Sequence, residues 1–260
     1  MRFVPMVIAS IYLALILAVA GCGHAQRGLL PMAERQEALG LFRMPPSAPG
    51  EQPTVYLTID DGPSTHTDEM LELLGAYGAT ATFFVHTDHI LTERDRAVLR
   101  EAVANGHRLG NHLPADERAD SLSPEAFLAD LTRAQSELET IAGVRPVLFR
   151  PPHGAINAAA MSPALLAEGY IAADGSERRY VLASFIPWDA GGATETTLRA
   201  MNNAAGARYA DGMSEALFDG AIVVFHDGPR EVRTQTTLVS LRRFLKAADR
   251  KGFAVKALPQ

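Results

Sequence analysis

His112 and Asp116 stand four residues apart in the stretch NGHRLGNHLPADERAD, residues 105–120. An imidazole and a carboxylate at that spacing can hold one divalent cation. They can equally be part of a solvated loop that also carries Glu117 and Asp120. The choice depends on which other reactive side chains can stand beside His112. Asp60 and Asp61 come straight after VYLTI, Arg150 follows VLF, Asp189 comes shortly after YVLASF, and His226 follows AIVVF. Acids, imidazoles and a guanidinium are the parts of acid–base and metal-assisted chemistry. Each is a weak signal alone, because Asp-Gly-Pro after a strand is a common turn and a lone strand-end histidine is usually structural. Cys22 is the only cysteine, which leaves no disulfide framework, cysteine metal site or thiol nucleophile in a mature domain. Carboxylates and histidines must therefore carry any chemistry.

These residues act together only if the fold gathers them, and the pattern between them says how it can. Short β-rich runs at 55–59, 81–85, 107–111, 147–149, 180–185, 221–225 and 253–258 alternate with helical stretches. Those stretches are TDEMLELLGAYG, TERDRAVLREAVANG, SPEAFLADLTRAQSELETIAG and TQTTLVSLRRFLKAADRKG. The third opens with Ser123 as N-cap and Pro124 at the first helical position, and ends at Gly143. Such alternation predicts a parallel sheet covered by helices, as either an open doubly wound sheet or a closed barrel. In both, the carboxyl ends of the strands share one face, where residues distant in sequence become neighbours.

The polar residues are joined by longer motifs: TIDDGPS at 58–64, GHRLGNH at 106–112, FRPPHGAIN at 149–157 and VVFHD at 223–227. In order and spacing these resemble the successive motifs of the polysaccharide deacetylase family, also called the NodB-homology or carbohydrate esterase family four. The resemblance covers roughly Val55 to Leu258. It implies an α/β fold, a distorted (β/α) barrel with about seven parallel strands. It further implies Asp60 as general base, Asp61 and His112 as metal ligands, Arg150 as the residue that orients the base, and His226 as general acid. Asp189 in PWDAGG matches the aspartate that tunes this histidine. The set suffices for amide hydrolysis, with the backbone N–H of His153 as a second oxyanion donor.

One position departs from the pattern. The family's second motif histidine falls on Asp116, which keeps the spacing and can serve zinc through oxygen. The expected ligand set is thus Asp61, His112 and Asp116, around zinc first, with Mn²⁺, Co²⁺ and Mg²⁺ opened by the extra carboxylate. His86 and His89 follow ATFFV, can line the cleft and are, with water, the next candidates for third ligand if Asp116 is only a loop acid; His107 reads as buried structure, and His66 as a helix start. Trp188 can stack on a sugar ring or fill the core.

The N-terminus points to export. Arg2 precedes an apolar run from Phe3 to Ala20, and Val19-Ala20-Gly21-Cys22 resembles a lipobox, which makes Cys22 a lipidation site. The alternative is an uncleaved anchor. The domain reading is a lipoprotein-type signal at 1–22, a helix and Pro-rich spacer at 23–53, and the catalytic domain at 54–260, tethered outside the cytoplasm. With 260 residues, 47% of them hydrophobic, the chain can bury one large core. A net charge of −6 without segregated Lys and Arg excludes a nucleic-acid surface. The expected partners are an acetylated glycan and, through lipid, the membrane. Other readings are an O-acetyl esterase or small-amide hydrolase on the same machinery, and a glycan-binding envelope lipoprotein impaired by Asp116.

Overall fold

The run TVYLTIDDG forms β1 (Thr54–Gly62), which is buried along both faces and lies at the centre of the sheet. The computed structural model describes residues 40–155, 157–171, 180–185, 212, 215–228 and 231–259, nearly all within the compact unit Leu41–Gln260. Cys22, the helix expected from Pro31, Trp188 and Asp189 lie outside the described residues. β1 pairs in parallel with β2 (Thr82–Val85) on one side and β4 (Ile222–His226) on the other. β3 (Arg108–Asn111) extends the sheet beyond β2, and β5 (Ala254–Lys256) joins the first residues of β1.

Single parallel pairs continue the sheet beyond these strands. Asn111 pairs with Phe149, Phe149 with Tyr180, and Phe185 with Val223 of β4, so the strand order closes on itself as a distorted barrel. The expected runs at 147–149 and 180–185 thus take their places in the ring without forming regular strands. Prolines at 146, 151 and 152 flank Phe149, and each lacks the N–H that a longer ladder needs.

The helices begin where their caps direct. In α1 (Thr67–Ala76), Met70, Leu71, Leu73 and Leu74 are buried against the sheet. α2 (Glu93–Ala104) opens on a capping box between Thr92 and Asp95. α3 (Pro124–Ala142) starts at Ser123, which accepts the Ala126 N–H, and stops at Gly143 with φ 70°. α4 (Ala158–Ala167) has no counterpart among the expected helices, because AAAMSPALLA offers no polar face to set a period and contains Pro163. Its Met161, Ala164 and Leu165 pack with Phe127, Leu131 and Tyr170. α5 (Glu231–Arg250) closes the helical layer with Leu241, Phe244 and Leu245. A smaller cluster of Phe84, Leu148, Val181, Ile222 and Leu258 also takes in Leu41 and Met44, so the unit begins before the expected start at Thr54.

Candidate active site

The site is built from the carboxyl ends of β1, β2, β3 and β4 together with the Phe149–Gly154 turn. At its base Arg150 donates from Nη1 to Asp60 Oδ1 at 2.6 Å and to Thr58 Oγ1 at 2.7 Å. Its Nη2 donates to Leu182 O at 2.8 Å. The guanidinium lies 4.4 Å from the Phe84 ring centroid. Arg150 and Asp60 are both buried, at 4% exposure each, so the guanidinium fixes the carboxylate in one orientation. Burial pulls the Arg150 guanidinium below its usual range and Asp60 opposes this; an arginine stays charged either way. Gly110 makes room for the arrangement, since a Cβ there would stand 2.5 Å from the Phe84 ring.

Adjacent residues of a strand normally point to opposite faces, yet Asp60 and Asp61 serve one site. The reason is a register shift between Asp60 and Gly62, with Asp61 at φ 71°. Among the described residues the non-glycine positions with positive φ are Asp61, Leu113 and His153, and all three surround this site. The twist brings Asp61 Oδ1 to 3.4 Å from both His112 Nε2 and His86 Nε2. His112 Nδ1 donates to Arg150 O at 2.7 Å, and His86 Nδ1 to Leu113 O at 3.3 Å. His89 Nδ1 donates to Asp61 O at 2.7 Å, which holds the turned backbone. Burial alone raises the Asp61 carboxyl, but the facing imidazoles, His112 foremost, outweigh it and hold the group well below the carboxylate range. Asp61, His86 and His112 together are a buried group able to hold a divalent cation. The donor set suits one: carboxylate and imidazole are zinc-type ligands, and His86 Nε2 is buried without a hydrogen-bond partner.

His226 ends β4 directly beside Asp60, its register partner on β1. The following residue, Asp227, is fully buried and accepts hydroxyl protons from Ser64 and Thr67 while its N–H donates to Asp60 O at 2.7 Å. Burial pushes the Asp227 carboxyl up. This buried acid ties the ends of β1 and β4 together. Asp116 and His153 form the rim. Asp116 Oδ1 is 3.1 Å from His153 Nε2 and 3.9 Å from His86 Nε2, and the side chains of Asp116 and His153 are 53% and 45% exposed. The hydrogen bonds of the His153 turn run from the N–H groups of Gly154 and Ala155 to Pro151 and Pro152, and the His153 N–H takes part in neither.

The fold therefore gathers Asp60, Asp61, His112, Arg150 and His226 into one site. It places His153 and Asp116 at the mouth, and leaves Asp189 and Cys22 outside the described residues. The sequence signal for His86 is its position directly after a strand, the same signal that marks Asp60 and His112. Asp227 was visible only as the last residue of VVFHD, and its hydroxyl partners are separated from it by most of the chain.

Comparison with known proteins gives the same class. The sequence pattern of the polysaccharide deacetylase family matches residues 47–168 of the chain. It is 27% identical over 218 residues to a chitooligosaccharide deacetylase of Rhizobium leguminosarum bv. trifolii, covering 79% of this chain and 90% of that one. It is 33% identical over 117 residues to a peptidoglycan-N-acetylglucosamine deacetylase of Bacillus cereus, covering 45% of this chain and 54% of that one. A family 4 carbohydrate esterase from Streptomyces lividans, solved in complex with acetate, superposes with a TM-score of 0.62 at 25% identity, over 78% of this chain and 91% of that one. The chain spans about half the length, or less, of the first curated relatives it matches.

Proposed function

We propose that this protein is a metal-dependent hydrolase that removes N-acetyl groups from an extracytoplasmic glycan of the peptidoglycan, exopolysaccharide or chitin type. The observation that carries the proposal is the buried Asp60–Arg150 pair, which stands beside the Asp61–His112 group on one flank and His226 on the other. Asp61 and the imidazoles that face it would hold a divalent cation, which would polarise the acetyl carbonyl and acidify a water molecule. Asp60 takes a proton from the attacking water, and Arg150 keeps the carboxylate aimed. His226, on the neighbouring strand, gives a proton to the departing amine nitrogen. The backbone N–H of His153 faces the developing oxyanion from the turn at the mouth. Asp189 is assigned to tuning His226.

A site kept only to bind glycan does not require an acid and an oriented base, so the intact Asp60, Arg150 and His226 favour catalysis. The names of the Rhizobium and B. cereus relatives, a chitooligosaccharide deacetylase and a peptidoglycan-N-acetylglucosamine deacetylase, support an acetylated glycan as substrate class. Placement outside the cytoplasm rests on the apolar leader and Cys22. No helix among the described residues is long and apolar enough to cross a membrane.

The experiment is acetate release from chitin oligomers, peptidoglycan fragments and O-acetylated glycans, by wild type and Asp60→Asn. Replacement of the base is expected to lower turnover on N-acetylated substrates by at least about 10²-fold while bound metal remains. Unchanged turnover removes Asp60 from the mechanism. Release from O-acetyl esters alone replaces the amide reading with the ester one.

A further inference from the structure

We infer that His86, and not Asp116, completes the metal site, so that the two imidazoles facing Asp61 come from the ends of two different strands. The inference rests on the metal-dependent reading above. His112 and His86 are held in the same way: the Nδ1 of each lies against a backbone carbonyl, that of Arg150 at 2.7 Å and that of Leu113 at 3.3 Å. A carbonyl only accepts, so each Nδ1 carries a proton, and in the neutral ring each Nε2 then offers its lone pair to a cation. This is how proteins orient histidines that ligate metals.

The two rings stack with centroids 4.5 Å apart and planes inclined by 29°. Both face Asp61 Oδ1 at 3.4 Å. Three electron-rich atoms gathered away from water repel one another, and a cation among them reverses that. Ligand atoms about 2.1 Å from a tetrahedral ion stand about 3.4 Å from each other, which is the spacing seen here. His86 Nε2 has no hydrogen-bond partner in the fold, although its ring is fully buried. Leu113 adopts φ 62°, a conformation unfavourable for leucine, and its carbonyl anchors His86.

Asp116 has none of these properties. Its carboxylate is half exposed and lies closest to His153 across the mouth of the site, at 3.1 Å. The aspartate in the second motif is thus a rim contact of the His153 turn, and the imidazole the motif lacks is supplied from the end of β2.

The test is Zn²⁺ affinity of the full-length protein, measured by competition with a chromophoric chelator and read without reference to turnover. His86→Ala and His86→Leu are expected to weaken binding by at least about 100-fold, the upper end of what losing even an outer partner costs. Asp116→Ala is expected to stay within about threefold of wild type. Near-UV circular dichroism checks the fold of each variant. A folded His86 variant with wild-type affinity overturns the inference. So does a loss of 100-fold or more in Asp116→Ala, a half-exposed position whose truncation leaves the core intact. A wild-type protein that takes up no Zn²⁺ overturns the metal-dependent reading along with it, whereas normal uptake by both wild type and His86→Leu overturns this inference alone.

Discussion

Arg150 shows how much of the site rests on one side chain. Its guanidinium spans Asp60, Thr58 and the Leu182 carbonyl at once, and it lies over Phe84. Only a planar fork of donors can do this, so a lysine with its single ammonium is no substitute. Arg150→Met leaves Asp60 as a buried, unpaired charge, and the expected loss of stability is about 3–5 kcal/mol in urea unfolding. Adding Asp60→Asn to that variant removes the charge and should recover a good part of the loss. A double variant no more stable than Arg150→Met shows that the damage comes from packing, not from charge. Turnover is lost in both, and this does not depend on how much stability returns.

At the scale of elements, the residue that leads into β3 is a titratable group with no part in the chemistry. His107 is 4% exposed, stands edge-on to Phe83, and its Nδ1 accepts the Ala81 N–H at 3.0 Å. Burial lowers the imidazole to about 4, from an ordinary value of 6.5. Because the folded value lies below the unfolded one, this stabilisation is complete above pH of about 6.5 and is lost as pH falls toward 4, by at most about 3 kcal/mol. His107→Asn keeps an acceptor near Nδ1 but cannot be protonated. Between pH 7 and pH 4 the wild type should therefore lose more unfolding free energy than His107→Asn. Parallel pH profiles for the two proteins exclude His107 as the source. The same strand carries Gly110 and ends at Asn111, whose amide donates to Leu131 O and to Tyr170. β3 is thereby tied both to α3 and to Tyr170, in the segment that follows α4.

For the molecule as a whole, closure of the ring depends on chain that precedes β1. Leu41 pairs with Val181 and Arg43 with Ala221, and Ser47 and Thr54 both donate to Asp219. The fold thus takes up residues from Leu41 onward. If Cys22 is the lipidated residue, wild-type protein expressed in a bacterium incorporates labelled fatty acid and partitions with membranes. Cys22→Ser then incorporates none, and the rest of the fold is untouched. No label in wild type replaces the lipoprotein with an uncleaved apolar anchor, and label retained in Cys22→Ser removes Cys22 as the lipidated residue.

Short-range patterns were legible in the sequence because they need no partner from elsewhere. Ser123-Pro124 and Gly143 bound α3 by local capping geometry, and the alternation of apolar runs with amphipathic stretches specified parallel strands under helices. The strand-end positions of Asp60, Asp61, His112, Arg150 and His226 followed from that alternation, since parallel strands all present their carboxyl ends on one face. The helix α4 escaped because its sequence carries no period, and only packing against Phe127 and Tyr170 defines it. The role of Asp116 was read from its spacing to His112, but spacing along a loop does not determine which atoms converge. That depended on three left-handed residues, Asp61, Leu113 and His153, whose unfavourable backbone angles are sustained only by the assembled barrel. They turn Asp61 inward, anchor His86 and set His153 against Asp116, and no local propensity in the chain announces any of the three.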